Sequence, residues 1–261
     1  MAKMSRSNLG YPVRLVRSDG GSGTGFYVFK DNFIYLVTAK HVFFHDSGAL
    51  KGDSCLARSY SEDWVEDDYT ELKLNLDYLL KNGSLKAHST QDVCAIKLAV
   101  SAGGQVYPLG MAGREVEILN KNQYGVVHID HASCPKRFDE VELANDVFMM
   151  GYPSSIGTLA EQFNREMPLL RKGIVAGKWN EKKSIIVECP SYPGNSGGPV
   201  IELDYVENKP CYKLIGVVSE LIPVDEHWRK QQVHADAQWA RVAHSGYSAV
   251  VAYDFVEELM D

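Results

Sequence analysis

Apolar and polar residues alternate in short runs along most of this chain. Residues 11–17 alternate strictly enough to suggest a half-buried strand, and 25–29 and 33–37 are rich in Val, Phe, Tyr and Ile. Leu72, Leu74 and Leu76 are separated by polar neighbours, and the same texture returns at 93–100, 116–119, 147–150, 185–187, 200–203 and 214–218. Runs of this kind between Gly, Pro, Asn and Asp clusters predict strands. No helical period alternates with them, so a barrel or sandwich is expected rather than a parallel α/β sheet. Two stretches predict helix. Residues 228–244 place Trp228, Ala235, Trp239 and Val242 at near-helical spacing with no Gly or Pro between them, and 253–260 reads as a short amphipathic tail. Ser, Gly and Pro gather at 101–110. That predicts two units, 1–105 and 106–261, each of ordinary domain size.

Composition narrows the function. The 261 residues, 45% of them hydrophobic, suffice for one large domain or two small ones with a sizeable core. Basic residues number 27 against 34 acidic, a net charge of −7. Nucleic-acid binders carry a basic surplus, so no nucleic-acid partner is expected. No apolar run approaches the ~20 residues of a membrane-spanning helix. The start lacks an apolar signal core, because 11–16 is short and carries Arg14. No membrane association and a cytoplasmic location are expected. Five cysteines, an odd number without a CxxC pair, then read as reduced thiols. The acidic residues Glu62, Asp63, Glu66, Asp67, Asp68 and Glu71 read as a solvated loop.

The most informative segment is Pro193-Gly194-Asn195-Ser196-Gly197-Gly198-Pro199. A serine among three glycines packs poorly in a core, but suits a sharp turn that a substrate must approach closely. A nucleophile loop in which the amides of Gly194 and Ser196 point together at a developing oxyanion is one reading; a plain glycine-rich turn is the other. A serine hydroxyl is a weak nucleophile and needs an adjacent base. Of eight histidines, His41 stands just past the apolar run Phe33-Ile34-Tyr35-Leu36-Val37, a firm mount for a base. Asp92 opens the run Val93-Cys94-Ala95-Ile96-Lys97-Leu98, where a partly buried carboxylate requires a partner. Such a carboxylate can hold an imidazole in one tautomer.

Thr38-Ala39-Lys40-His41, the segment starting at Asp92, and Gly194-Asn195-Ser196-Gly197-Gly198-Pro199 resemble the three catalytic segments of trypsin-like (chymotrypsin-fold) serine proteases, in that family's order. Gly21-Ser22-Gly23-Thr24-Gly25-Phe26, Gly151-Tyr152-Pro153, Gly173-Ile174-Val175-Ala176-Gly177 and Ile215-Gly216-Val217-Val218-Ser219 are similar to further family segments, so the resemblance spans about residues 10 to 255. The Gly-Asn-Ser-Gly-Gly form is similar to the bacterial HtrA-like branch; no PDZ domain is expected, since the chain ends at Asp261. The resemblance implies an all-β fold of two antiparallel six-stranded barrels with a short C-terminal helix. It implies a serine endopeptidase with His41, Asp92 and Ser196 as the triad, an oxyanion hole of the Gly194 and Ser196 amides, and Ser219 hydrogen-bonded to Asp92. It implies no metal and no cofactor. Asn195 stands where extracellular members carry an Asp that pairs with a processed N-terminus, so activity without such processing is expected. The specificity pocket is expected between Pro190, Ser191 and Tyr192 on one side and Ser219, Glu220 and Leu221 on the other. No acid matches the position that selects Arg or Lys, and Leu221 replaces a usual glycine, which implies a small pocket. Lys40 replaces a small residue and Cys94 an alanine. The expected substrate is a protein or peptide, with one dedicated intracellular partner. The rival is a catalytically silent two-barrel module that binds a partner without cutting it.

Three other signals are weaker. Gly21-Ser22-Gly23-Thr24-Gly25 resembles a phosphate loop, yet strand rather than helix is predicted after it. His128, His131 and Cys134 lack a fourth metal ligand nearby in sequence. The G-x-S-x-G pattern also fits an α/β-hydrolase elbow with Asp225 and His244, but a strand, not a helix, is predicted after Ser196.

Overall fold

A computed structural model describes residues 6–61, 68–102, 105–108, 115–121, 125–156, 164–229 and 238–260. Ten strands form the first sheet: β1 (Pro12–Arg17), β2 (Ser22–Lys30), β3 (Phe33–Thr38), β4 (Ser54–Tyr60), β5 (Tyr69–Asn75), β6 (Leu85–Ala87), β7 (Cys94–Ala102), β8 (Gln105–Pro108), β9 (Val116–Asn120) and β10 (His128–Asp130). Its main path is β6-β7-β3-β2-β1-β4-β5-β9, with β8 on β7 and β10 parallel to β2. Six more strands close into a ring in the order β11-β12-β13-β16-β15-β14: β11 (Asp146–Gly151), β12 (Leu169–Trp179), β13 (Ser184–Glu188), β14 (Pro199–Val206), β15 (Lys209–Arg229) and β16 (Gln238–Ala252). The architecture is the chymotrypsin-like all-β fold. Its C-terminal half is a closed six-stranded barrel. The N-terminal half is a half-barrel whose central run β7-β3-β2-β1-β4-β5 carries short flanking strands. Sheet membership changes between Asp130 and Asp146, while the described residues of the Ser/Gly/Pro-rich stretch at 101–110 belong to β7 and β8, which pair with each other.

The unbroken apolar runs at 25–29 and 33–37 have a physical cause. Successive side chains of a strand point to opposite faces. In β2 and β3, Tyr27, Ile34 and Leu36 pack into the N-terminal core with Val13, Leu15 and Leu74. Phe26, Val28, Tyr35 and Val37 face the other way, into a cluster with Leu214, Val217, Val251, Tyr253 and Val256 from the second half. A third cluster, including Val147, Val187, Val200 and Val250, fills the closed barrel. Both faces of β2 and β3 are therefore buried, and the strands next to the cleft are anchored from both sides.

Three local expectations change. The 228–244 stretch is not a helix where its backbone is described: Trp228 pairs with Trp239 and Arg229 with Gln238 across the β15–β16 hairpin. Cross-strand pairing outweighs a local helical spacing made largely of aromatic and β-branched residues; residues 230–237 lie outside the described ones. The alternation of Leu72, Leu74 and Leu76 ends at Asn75, whose side chain accepts the Tyr78 amide at 3.0 Å and caps α2 (Leu76–Lys81), the second helix after α1 (Lys40–Phe43). Glu71 lies on β5 and pairs with Arg58 at 2.8 Å rather than on a solvated loop; Glu62, Asp63, Glu66 and Asp67 are outside the described residues. The C-terminal tail forms α3 (Tyr253–Leu259), with Tyr253 and Val256 buried. All five cysteines are free thiols.

Candidate active site

The sharp turn α1 follows β3 directly, so the buried strand carries His41 to the edge of the first half. The ring meets Asp92 from the loop entering β7. His41 Nδ1 lies 2.7 Å from Asp92 Oδ2, and the His41 amide donates to Asp92 Oδ1 at 2.9 Å. Both carboxylate oxygens thus fix one residue, its ring and its backbone. A carboxylate on Nδ1 directs the other ring nitrogen, Nε2, to serve as a proton acceptor. Lys40, the departure from the family pattern, reaches the His88 carbonyl at 3.0 Å. His88 in turn accepts the amides of Thr90 and Gln91 on Nδ1 and meets Glu258 of α3 through Nε2. Lys40 therefore ties the His41 turn to the loop that ends at Asp92.

Ser219 sits at an irregularity in β15, where the register with β16 shifts between Val218 and Glu220. A bulge re-aims a side chain, and here the Ser219 hydroxyl donates to Asp92 Oδ2 at 2.6 Å. Burial alone raises the Asp92 pKa, but the His41 hydrogen bond and attraction and the Ser219 bond outweigh it and hold the carboxyl below its ordinary 3.8. A carboxyl depressed in the fold adds stability above its unfolded pKa, and that stability is lost as pH falls through the folded value. Urea midpoints of the wild type and Asp92→Asn should therefore differ most near neutral pH and converge below pH 3.8. A gap that stays constant down to about pH 2.5 contradicts the depressed carboxyl.

The Ser196 loop supplies the opposite wall. Gly194 (φ 99°) and Gly197 (φ 87°) take left-handed conformations that admit glycine. Asn195 is buried, and its Oδ1 accepts the Tyr192 amide at 3.0 Å within its own loop. The amides of Asn195, Gly197 and Gly198 donate to Tyr192, Val218 and Asn195 carbonyls. Among the described residues, the amides of Gly194 and Ser196 donate to nothing, and no hydrogen bond reaches the Ser196 hydroxyl. Both residues line a cleft of about 780 Å³ together with His41 and Asp92.

Five of the six expected pocket residues, Ser191, Tyr192, Ser219, Glu220 and Leu221, line this cleft. Pro190 does not; its carbonyl accepts Arg171 at 3.1 Å. Arg171 also stacks on the Tyr192 ring. His244 donates through Nε2 to the Ser191 carbonyl and accepts the Gly246 amide on Nδ1, so both ring nitrogens are engaged in wall structure. Among the weaker signals, His131 contacts Tyr253 and Glu257, while Cys134 donates to the Tyr212 carbonyl. The glycine-rich 21–25 segment runs into β2. Sequence reasoning passed over Arg17 and Lys51, which line the cleft and donate to the Val42 and His41 carbonyls, and Thr24, a polar residue among glycines on a strand buried on both faces.

A family model described as a trypsin-like peptidase domain matches residues 23–205, a span holding His41, Asp92 and Ser196. The chain belongs to that family. As a trypsin-like peptidase it is also similar to a solved structure titled "HtrA-type protease AlgW with tripeptide", with a TM-score of 0.51 and 14% identity. That match covers 98% of this chain and 62% of the other, so the chain spans less than two thirds of that protein's length. At this identity the likeness shows the fold of the trypsin-like peptidase. No curated protein matches the chain. Among the described residues, no helix is long and apolar enough to cross a membrane.

Proposed function

We propose that this trypsin-like peptidase is a serine endopeptidase. Ser196 attacks the scissile carbonyl, His41 takes its proton and returns it to the leaving amine, and Asp92 holds the imidazole. The amides of Gly194 and Ser196 receive the oxyanion. The observation that carries this reading is the pair of Gly194 and Ser196 amides, which donate to nothing among the described residues and belong to residues lining the same cleft as His41, whose ring and backbone amide are held by the two oxygens of Asp92. The open Ser196 hydroxyl is compatible with it, because hydrogen bonds at such sites tighten when substrate arrives. We propose further that the chain acts without N-terminal processing, since Asn195 cannot pair with a new N-terminus as a carboxylate would and its Oδ1 accepts an amide of its own loop, and that it cleaves one dedicated protein. A fluorophosphonate probe tests the reaction class. Mass spectrometry should find one adduct, on Ser196. The open hydroxyl also favours a second reading, a binding module. Peptide binding with no adduct would select it.

A further inference from the structure

We infer that the hydroxyls of Thr24 and Ser154 hold the oxyanion hole in its formed state, acting as positioning residues on two successive peptide planes of the Ser196 loop. The inference rests on the serine-protease reading above. The N–H and C=O of a trans peptide point in opposite directions, and the described chain has no cis peptide. In the first plane, the Pro193 carbonyl is gripped twice by Ser154, by its amide at 2.9 Å and its hydroxyl at 3.1 Å. The Gly194 N–H is thereby turned the other way, away from Ser154, and it donates to no described group. In the second plane, the Gly194 carbonyl accepts the Thr24 hydroxyl at 2.6 Å, which turns the Asn195 N–H onto the Tyr192 carbonyl at 2.8 Å.

Thr24 is fully buried, and its hydroxyl works both ways: it donates to the Gly194 carbonyl and accepts the Tyr152 amide at 3.0 Å. Its own backbone is fixed as well. The Thr24 amide donates to the Ser196 carbonyl at 2.9 Å, and its carbonyl accepts the Thr38 hydroxyl at 2.6 Å. Thr38 lies two residues before α1, so one short chain of bonds joins the His41 turn, Thr24 and both ends of the Gly194–Ser196 segment. Gly194 alone has no side chain to resist a flip of either plane, and a Cβ there would lie 2.3 Å from the Tyr152 carbonyl oxygen. The conformational control that glycine gives up is supplied by the two hydroxyls.

The test is the inactivation kinetics of the full chain with a fluorophosphonate, which separates binding (KI) from the chemical step (kinact). Thr24→Val keeps the shape and removes both the donor to the Gly194 carbonyl and the acceptor of the Tyr152 amide. It should lower kinact by about 10- to 100-fold with KI nearly unchanged, within the range seen when oxyanion stabilisation is impaired. Thr24→Ser should restore kinact to within about 3-fold of the wild type. Ser154 is exposed, so Ser154→Ala should fold normally and lower kinact by about 3- to 10-fold. A kinact for folded Thr24→Val within about 2-fold of the wild type overturns the inference; if that variant does not fold, an unchanged Ser154→Ala does so. A wild type that never reacts removes the protease reading itself, a failure separable from the other two because it appears before any substitution.

Discussion

Ser196→Ala should lower the hydrolysis of any peptide that the wild type cleaves by about 10⁴- to 10⁶-fold, because the members of a triad act as a unit and removing the nucleophile forfeits nearly all of their joint effect. The same variant should melt within about 2 °C of the wild type. No hydrogen bond reaches the Ser196 hydroxyl among the described residues, so its removal leaves no partner unsatisfied. The loop keeps its backbone bonds: Thr24 to the Ser196 carbonyl, Gly197 to the Val218 carbonyl and Gly198 to the Asn195 carbonyl. Activity and stability therefore separate at this residue. Turnover retained at more than about a hundredth of the wild type would take Ser196 out of the chemistry.

The largest effect on folding is expected one residue later. Gly197 has φ 87°, and a Cβ there would lie 2.1 Å from the Thr24 carbonyl oxygen, 2.1 Å from Thr38 Oγ1 and 2.8 Å from the Ala39 amide. Two of these atoms are backbone of the first half, so relief requires the Ser196 loop to part from β2 and the His41 turn. Gly197→Ala should cost more than about 3 kcal/mol, combining left-handed strain with the overlap. Gly48→Ala is the matched control. It also has positive φ, 83°, but nothing lies within 4 Å of its Cβ, so only the conformational cost of about 1–2 kcal/mol should remain. Urea denaturation of both variants measures the difference. Equal losses would mean that the two halves do not meet as tightly at Gly197 as described.

The contrast between these glycines shows what a sequence can carry. Gly194, Gly197 and Gly198 were legible as a loop that must turn sharply, because glycine is the residue that tolerates such backbone. Which of them is pressed against the other half was not legible. That depends on Thr24 and Thr38, some 170 and 160 positions away in the chain. The helix read at 228–244 failed for a related reason. A local window holds the periodicity but not the opposing strand, and the β15–β16 register pairs the described ends of that stretch with each other. Matching a motif places Pro190 near the cleft but does not show that its carbonyl accepts Arg171 of β12, a partner no motif contains.

By itself, the sequence determined the strand-rich architecture, through short alternating runs, and singled out His41, Asp92 and Ser196, in that order, as candidate site residues, through motifs that depend only on near neighbours. It also anticipated the Ser219 bond to Asp92 by resemblance. Only the tertiary structure decided the rest: that β2 and β3 are buried on both faces, that Lys40 ties the His41 turn to the Asp92 loop, and that Thr24 and Ser154 set two peptide planes beside Ser196. Each of these is a contact between segments distant in the chain, made by an ordinary residue type whose role is set by what it meets. Local patterns record what the backbone must do nearby, and the folded core decides which of those segments come within hydrogen-bonding distance.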